Sequence, residues 1–256
     1  DNGRYIAFYS GAGDLVASDT NGKFDVFVRD TVAGDTWRVS ISTGGAQGND
    51  NSWGNVSISG DGRRVAFASW ANTLVPNDTN GAMDAFVRDW FSGWTAIVSV
   101  STGGAMGNNN SSGTISDNGR YVAFGSDASN LVGGDTNGTS DAFVHDLDTG
   151  LTERVSVSSD GQQSNGSVYG IEISSGGRLV IFHSSANNLV SNDTNSRQDV
   201  FVHDREYDRT SRVSIATNGT QGNANSLYLL AMSGDTRFVA FSSYASNLVA
   251  NDNNGV

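Results

Sequence analysis

The reading of the fold turns on residues 64–101: Arg64–Ser69 (RVAFAS), Leu74–Gly81 (LVPNDTNG), Asp84–Asp89 (DAFVRD) and Thr95–Ser101 (TAIVSVS). Apolar and polar residues alternate with a period of two in three of these segments, the signature of a half-buried strand rather than a helix. A fourth strand, Asn55–Ser59 (NVSIS), precedes them and ends at a Gly-Asp-Gly turn. Four short strands therefore fill about 58 residues. No stretch carries apolar residues at helical spacing.

The same block recurs along the chain. Its second strand returns around Phe8, Phe67, Phe124, Phe182 and Phe241, at steps of 59, 57, 58 and 59 residues. The valines Val39, Val98, Val155 and Val213 and the asparagines Asn49, Asn108, Asn165 and Asn223 keep step with it. Every length change thus falls between that Asn and the next Phe, so each unit is a rigid block plus one elastic loop. The units span 1–59, 60–116, 117–174 and 175–233, with a partial unit at 234–256. Read as strands they supply three, four, four, four and two, which predicts incomplete units at both termini.

Four antiparallel strands per repeat is the arithmetic of a propeller blade, whereas solenoid coils such as leucine-rich repeats use roughly 20–29 residues. The expected fold is all-β, a β-propeller of four-stranded blades. The phrases GRYVAF at Gly119–Phe124, SNLV at Ser129–Val132, DTNG at Asp135–Gly138, DAFV at Asp141–Val144 and RVSVS at Arg154–Ser158 resemble the TolB-like β-propeller repeats of secreted or periplasmic bacterial proteins. The resemblance covers the whole chain. It implies a propeller outside the cytoplasm, serving as a binding scaffold or attached to an enzyme, and it specifies fold better than activity.

Composition narrows the partners. The 27 acidic against 15 basic residues give a net charge of −12, the opposite of the basic footprint that nucleic acid or an anionic membrane surface requires. No apolar run approaches the ~20 residues of a spanning helix. The absence of cysteine removes disulfides, thiolate metal sites and a cysteine nucleophile. The chain opens on Asp1 without an initiator Met or a leader pattern, which reads as a processed or excised chain.

One repeated constellation carries chemistry, D-T-N-x-x-x-D: Asp19, Asn21 and Asp25; Asp78, Asn80 and Asp84; Asp135, Asn137 and Asp141; Asp193, Asn195 and Asp199. Ca²⁺ takes six to eight oxygens from carboxylates, amide and backbone carbonyls and water, and a bend placing three such side chains within seven residues can wrap one. The competing reading is an Asx turn, since Asp and Asn bond their own backbone and Asn-Gly is a favoured turn dipeptide. In the fourth unit Ser196 replaces the glycine while all three oxygen-bearing residues stay, which favours the ion. The loop is shorter than an EF-hand and lacks its bidentate Glu, which favours the turn. Two carboxylates per loop suggest a Kd on the order of 10⁻⁴–10⁻³ M. Four doubly charged ions would move the charge from −12 to −4.

The other repeated polar residues read as structural. Arg4, Arg63, Arg120, Arg178 and Arg237 stand four before each Phe, and the acid after each FV-R/H step (Asp30, Asp89, Asp146, Asp204) is the expected partner. Those aspartates also open a hairpin turn. The Gly-rich connectors Thr43–Asn49, Thr102–Asn108 and Thr217–Asn223 lack the Gly-Lys-Ser/Thr ending of a phosphate loop. His145 and His203 stand where Arg29 and Arg88 do and read as variable surface members of the third strand, His183 falls at a freely varying position, and no triad spacing emerges, so no enzyme activity is expected. Glu172 falls on an innermost strand and is expected to line the central channel. The functional expectation is a non-catalytic scaffold that binds calcium in its loops and a macromolecule or carbohydrate at its rim or channel, with self-association through the end blades. Three alternatives stand beside it: a propeller domain of a larger hydrolase, a lectin, or a filament subunit. Against the lectin, Trp37, Trp53, Trp70, Trp90 and Trp94 share no common repeat position.

Overall fold

A computed structural model describes residues 3–252. Apart from Asp252, the final acidic bend at 252–255 lies outside the described residues. Seventeen strands form five antiparallel sheets, and no helix occurs among the described residues. The first sheet comprises β1 (Tyr5–Ser10), β2 (Asp25–Asp30) and β3 (Thr36–Arg38). The second comprises β4 (Ser52–Ile58), β5 (Arg64–Ser69), β6 (Asp84–Asp89) and β7 (Trp94–Ile97). The third holds β8 (Ser111–Ile115), β9 (Tyr121–Ser126), β10 (Asp141–Asp146) and β11 (Thr152–Arg154). The fourth holds β12 (Val168–Ile173), β13 (Leu179–Ser184), β14 (Asp199–Asp204) and β15 (Arg209–Arg212). The last sheet pairs β16 (Ser226–Met232) with β17 (Val239–Ser243). Each sheet is a meander in chain order, and each complete sheet begins one strand before the repeat boundaries drawn at Gly60, Asp117 and Ser175.

The fourth strand of each blade is shorter than its alternation predicts. Thr95–Ser101 alternates throughout, yet β7 ends at Ile97. The cause is a serine that replaces the ladder partner. Val98 N–H still donates to the Ala85 carbonyl, but the Ala85 N–H donates to the Ser99 hydroxyl at 3.2 Å, and the chain turns away. The first strand begins earlier than read, at Ser52, and carries a register shift between Trp53 and Ser57, next to Gly54 at φ 83°.

The core lies between the sheets. Val26, Val28 and Val39 of one blade pack with Val65, Phe67, Leu74 and Phe86 of the next. The same pattern recurs between the second and third sheets and between the third and fourth. Alternation explains it: consecutive residues of the second strand point to opposite faces, so Ala66 meets the following blade while Val65 and Phe67 meet the preceding one. Each blade adds a stacked phenylalanine pair, such as Phe124 and Phe143 with ring centroids 5.5 Å apart.

The copies circle an axis. One cavity of about 340 Å³ is bordered by residues of four first strands: Ile58 of β4, Ile115 of β8, Glu172 of β12 and Met232 of β16. First strands stacked along a line could not all reach one cavity. Glu172 thus lines the central channel, as expected, and burial with the nearby Asp117 charge raises its carboxyl above the usual range.

The repeated arginines find their predicted acids. Arg4 reaches Asp30 at 2.8 Å, Arg63 reaches Asp89 at 2.7 Å, Arg120 reaches Asp146 at 2.7 Å and Arg178 reaches Asp204 at 2.7 Å. Asp30 also accepts the N–H groups of Val32 and Ala33, the Asx turn read from sequence. The Arg4 hydrogen bond holds Asp30 at a pKa of about 2, and Asp89, Asp146 and Asp204 likewise lie below the usual carboxylate range. A depressed folded-state pKa adds stability above the unfolded value, lost as pH falls through the folded one. Acid unfolding is therefore expected to set in below about pH 4 and to deepen toward pH 2, as followed by tryptophan fluorescence.

Candidate functional site

In every blade the second aspartate of the motif opens the third strand with its carboxylate wholly buried: Asp25, Asp84, Asp141 and Asp199 are each 0% exposed. One oxygen of each accepts a serine hydroxyl at 2.5–2.7 Å, from Ser40, Ser99, Ser156 and Ser214. The other accepts the amide of the asparagine four residues before it, from Asn21, Asn80, Asn137 and Asn195 at 2.8–3.0 Å. The same amide nitrogens donate to the carbonyls of Gly48, Gly107, Ser164 and Gly222 in the blade-to-blade connector.

These asparagines were expected to offer oxygen to an ion. Each amide oxygen instead accepts the N–H two residues on, from Lys23, Ala82, Thr139 and Arg197, at 3.0 Å. The nitrogen is therefore the end that faces the carboxylate. A carboxylate and a carbonyl both need a donor, and a backbone N–H needs an acceptor, so the amide orientation is fixed. Asn21, Asn80, Asn137 and Asn195 are Asx-turn residues that tie the bend to the connector.

Three of the four bends carry their own cation. Arg38 Nη1 lies 2.9 Å from Asp19 and 3.5 Å from Asp25. Arg154 Nη1 lies 3.6 Å from Asp135 and 3.7 Å from Asp141. Arg212 Nη1 lies 3.0 Å from Asp193 and 3.2 Å from Asp199. A glutamine from the connector closes each of these bends. Gln47 and Gln221 accept from the arginine at 3.0 and 3.2 Å, and Gln163 donates to Asp135 and Asp141 at 2.7 and 3.0 Å. The guanidinium stands between the two carboxylates, where the expected calcium would sit. That is the physical reason to withdraw Asp19, Asp25, Asp135, Asp141, Asp193 and Asp199 as an ion cage.

The second bend differs. The repeat steps place Ile97 where Arg38, Arg154 and Arg212 stand, and Met106 where Gln47, Gln163 and Gln221 stand. Asp78 and Asp84 keep their places, 8% and 0% exposed. Asp78 accepts the Asn80 N–H, and burial raises its carboxyl. Burial pushes Asp84 up to about 6 in spite of its bonds from Ser99 and Asn80, with the Asp78 charge adding to the rise. Burial also lifts Asp141 and Asp193, although each faces an arginine. The Arg, Gln and Ser positions were legible in the repeat, since R-V-S occurs at 38–40, 154–156 and 212–214 and I-V-S at 97–99. What sequence did not reveal is that this side chain turns inward to the acidic bend. Among the described residues, no group of three or more His, Cys, Asp or Glu side chains gathers in a form that could hold a metal ion.

His145 and His203, expected at the surface of the third strand, are instead buried. His145 and His203 bond Thr152 and Thr210 at 2.8 and 2.9 Å, and burial lowers both imidazoles. His183 is buried and its pKa falls to about 4 for the same reason. The tryptophans join the first two sheets, with Trp37 and Trp90 rings 5.0 Å apart.

No protein-family model matches the sequence, and no curated protein does. Solved structures match it by shape. A TolB-type protein of Agrobacterium tumefaciens aligns over 94% of this chain and 71% of its own at 14% identity, with a TM-score of 0.54. TolB from Acinetobacter baumannii aligns over 94% and 51% at 15% identity and 0.50, and the tricorn protease over 94% and 26% at 14% and 0.51. The chain thus spans about half of that second TolB and about a quarter of the protease. At these identities the likeness shows the fold alone: a β-propeller.

Proposed function

We propose that the chain is a non-catalytic propeller scaffold, working outside the cytoplasm, whose second acidic bend binds a divalent cation, calcium for its oxygen preference. One observation carries the reading. Where three bends neutralise two buried carboxylates with an arginine, the second has Ile97 and Met106, and no cation among the described residues faces Asp78 and Asp84. Unpaired buried charge is costly, and a bound ion or a shared proton relieves it. Asp78 and Asp84 would supply the carboxylates and water the remaining positions. The other three bends serve as the same structural element with its cation built in. The rim and the axial channel remain the surfaces for a macromolecular or carbohydrate ligand.

With a Kd on the order of 10⁻⁴–10⁻³ M, 10 mM calcium would add about 1.4–2.7 kcal/mol, a Tm rise of roughly 3–10 °C for a chain of this size. Scanning calorimetry with calcium, magnesium and chelator tests this. The Ile97→Arg, Met106→Gln double variant is expected to abolish the response. A wild-type Tm indifferent to 10 mM calcium would sink the ion.

The pH dependence separates ion from proton. Asp84 has a folded pKa of about 6, above its unfolded value, so the folded state gains a proton first and is stabilised as pH falls from 7 toward 4. In chelator, a gain on the order of 2 kcal/mol is expected over that window. Calcium would flatten it, since it favours the ionised carboxylates.

A further inference from the structure

We infer that a hollow in the third blade is a carbohydrate site, holding one neutral pyranose ring against Tyr169. The inference rests on the reading of this chain as a binding scaffold and gives that scaffold a ligand class. The hollow has a volume of about 230 Å³ and lies where β4, β8 and β12 begin, bordered by Asn55, Ser112 and Tyr169. The axial cavity beside Glu172 lies at the opposite ends of the same strands.

The third blade makes this space by what it leaves out. The second residue of the first strand faces the second strand in the pairs Trp53–Ala68, Ser112–Gly125, Tyr169–His183 and Leu227–Ser242. Of these, Ser112–Gly125 is the smallest. β4, β12 and β16 each shift register just after this residue, while β8 pairs without interruption from Ser111 to Ile115. Gly113 permits the flat course, since a Cβ there would stand 2.2 Å from the Ala123 carbonyl oxygen. β8 therefore runs straight between two bulged neighbours, whose Asn55 and Tyr169 border the space from either side. A Cβ on Gly125 would meet nothing within 4 Å. Ala68 and His183 hold the place of Gly125 in the adjoining blades and are both buried, so this is one site and not one per blade.

The lining selects the ligand. Tyr169 is 48% exposed and offers an aromatic face to the C–H groups of a sugar ring, with a hydroxyl at its tip. Among the described residues, the side chains of Asn55, Ser112, Asp127 and Tyr169 form no hydrogen bond or ion pair within the chain. Asn110 spends its amide oxygen on the Met83 N–H and keeps its NH₂ for a ligand. Amides and hydroxyls both donate and accept, and a carboxylate accepts from two hydroxyls, which is the mixed demand of a polyol. No Arg, Lys or His among the described residues borders the hollow, so an anion finds no counter-charge there. Asp127 is exposed, and a lone exposed carboxylate draws a cation only weakly. The volume falls below the ~300–1,000 Å³ of drug-sized sites, which admits one ring and leaves the rest of a glycan outside.

Saturation-transfer difference NMR on the full chain tests this, with the methyl glycosides of glucose, galactose, mannose and N-acetylglucosamine. Chelator is present throughout, so the calcium reading plays no part. At least one glycoside should bind with a Kd on the order of 1 mM, as fits so small a ligand. Tyr169→Ala should weaken it at least tenfold and Tyr169→Phe by no more than about threefold. Gly125→Leu fills the hollow and should abolish binding, with Tm unchanged in all three variants. Binding accompanied by release of the methyl group would support the site and overturn only the non-catalytic reading. No transfer from any of the four at about ten times that Kd would overturn the site and leave the scaffold reading standing. Binding that survives both Tyr169→Ala and Gly125→Leu would put the sugar elsewhere and overturn it. So would preferential binding of Nα-acetyl-lysinamide, the mark of a site for a basic peptide.

Discussion

Arg212→Met is expected to destabilise the protein by on the order of 3–5 kcal/mol, because it strands two buried carboxylates by removing the cation that faces them. Arg212 Nη1 lies 3.0 Å from Asp193 and 3.2 Å from Asp199, and these side chains are 2% and 0% exposed. The pair is not valuable because an ion pair is intrinsically strong; desolvation largely offsets its attraction. Its removal is costly because the acids stay. Urea unfolding should show the midpoint falling with the slope unchanged. Arg212→Met with Asp193→Asn should recover part of the loss, since only one buried charge then remains. If the single variant unfolds like wild type, the acids are reached by water and the account of the bends is wrong. The same variant makes the fourth bend resemble the second, so it should acquire the calcium response proposed for Asp78 and Asp84.

Phe143→Ala is expected to cost about 3–5 kcal/mol by loss of burial plus the cavity left behind. Phe143 is fully buried, stacks on Phe124 and sits in the interface between the second and third blades. Phe8→Ala, at the equivalent of Phe124 in the first sheet, should cost markedly less, because Phe8 is only half-buried among the described residues. The difference between the two is the informative quantity, since both delete the same atoms. Equal losses would mean that the first sheet is covered in solution.

Much of this molecule could be read before its coordinates. The five returns of the Phe-centred phrase and the period of two predicted the strand tally of every sheet. The partnership of Arg4 with Asp30 and of its equivalents followed from their common recurrence. Glu172 was placed in the channel because its strand comes first in a blade. These features are local or periodic. A strand's pleat alternates faces whatever it packs against, and a contact repeated in every unit must lie between residues that repeat.

The acidic bends were another matter. Asp78, Asn80 and Asp84 announce an oxygen-rich turn, but sequence leaves open which end of the Asn80 amide faces Asp84. The answer depends on the Ala82 N–H and the Gly107 carbonyl, the latter 27 residues away in the connector. Nor does sequence show that Arg38, thirteen residues after Asp25, turns back between Asp19 and Asp25 rather than outward to water. Strand pairing and burial against the connector decide that. The repeat, its strands and their count belong to the sequence because backbone periodicity is a local property. Which charge meets which in the acidic bends was decided only by tertiary structure, because burial removes the water that would otherwise serve every carboxylate alike.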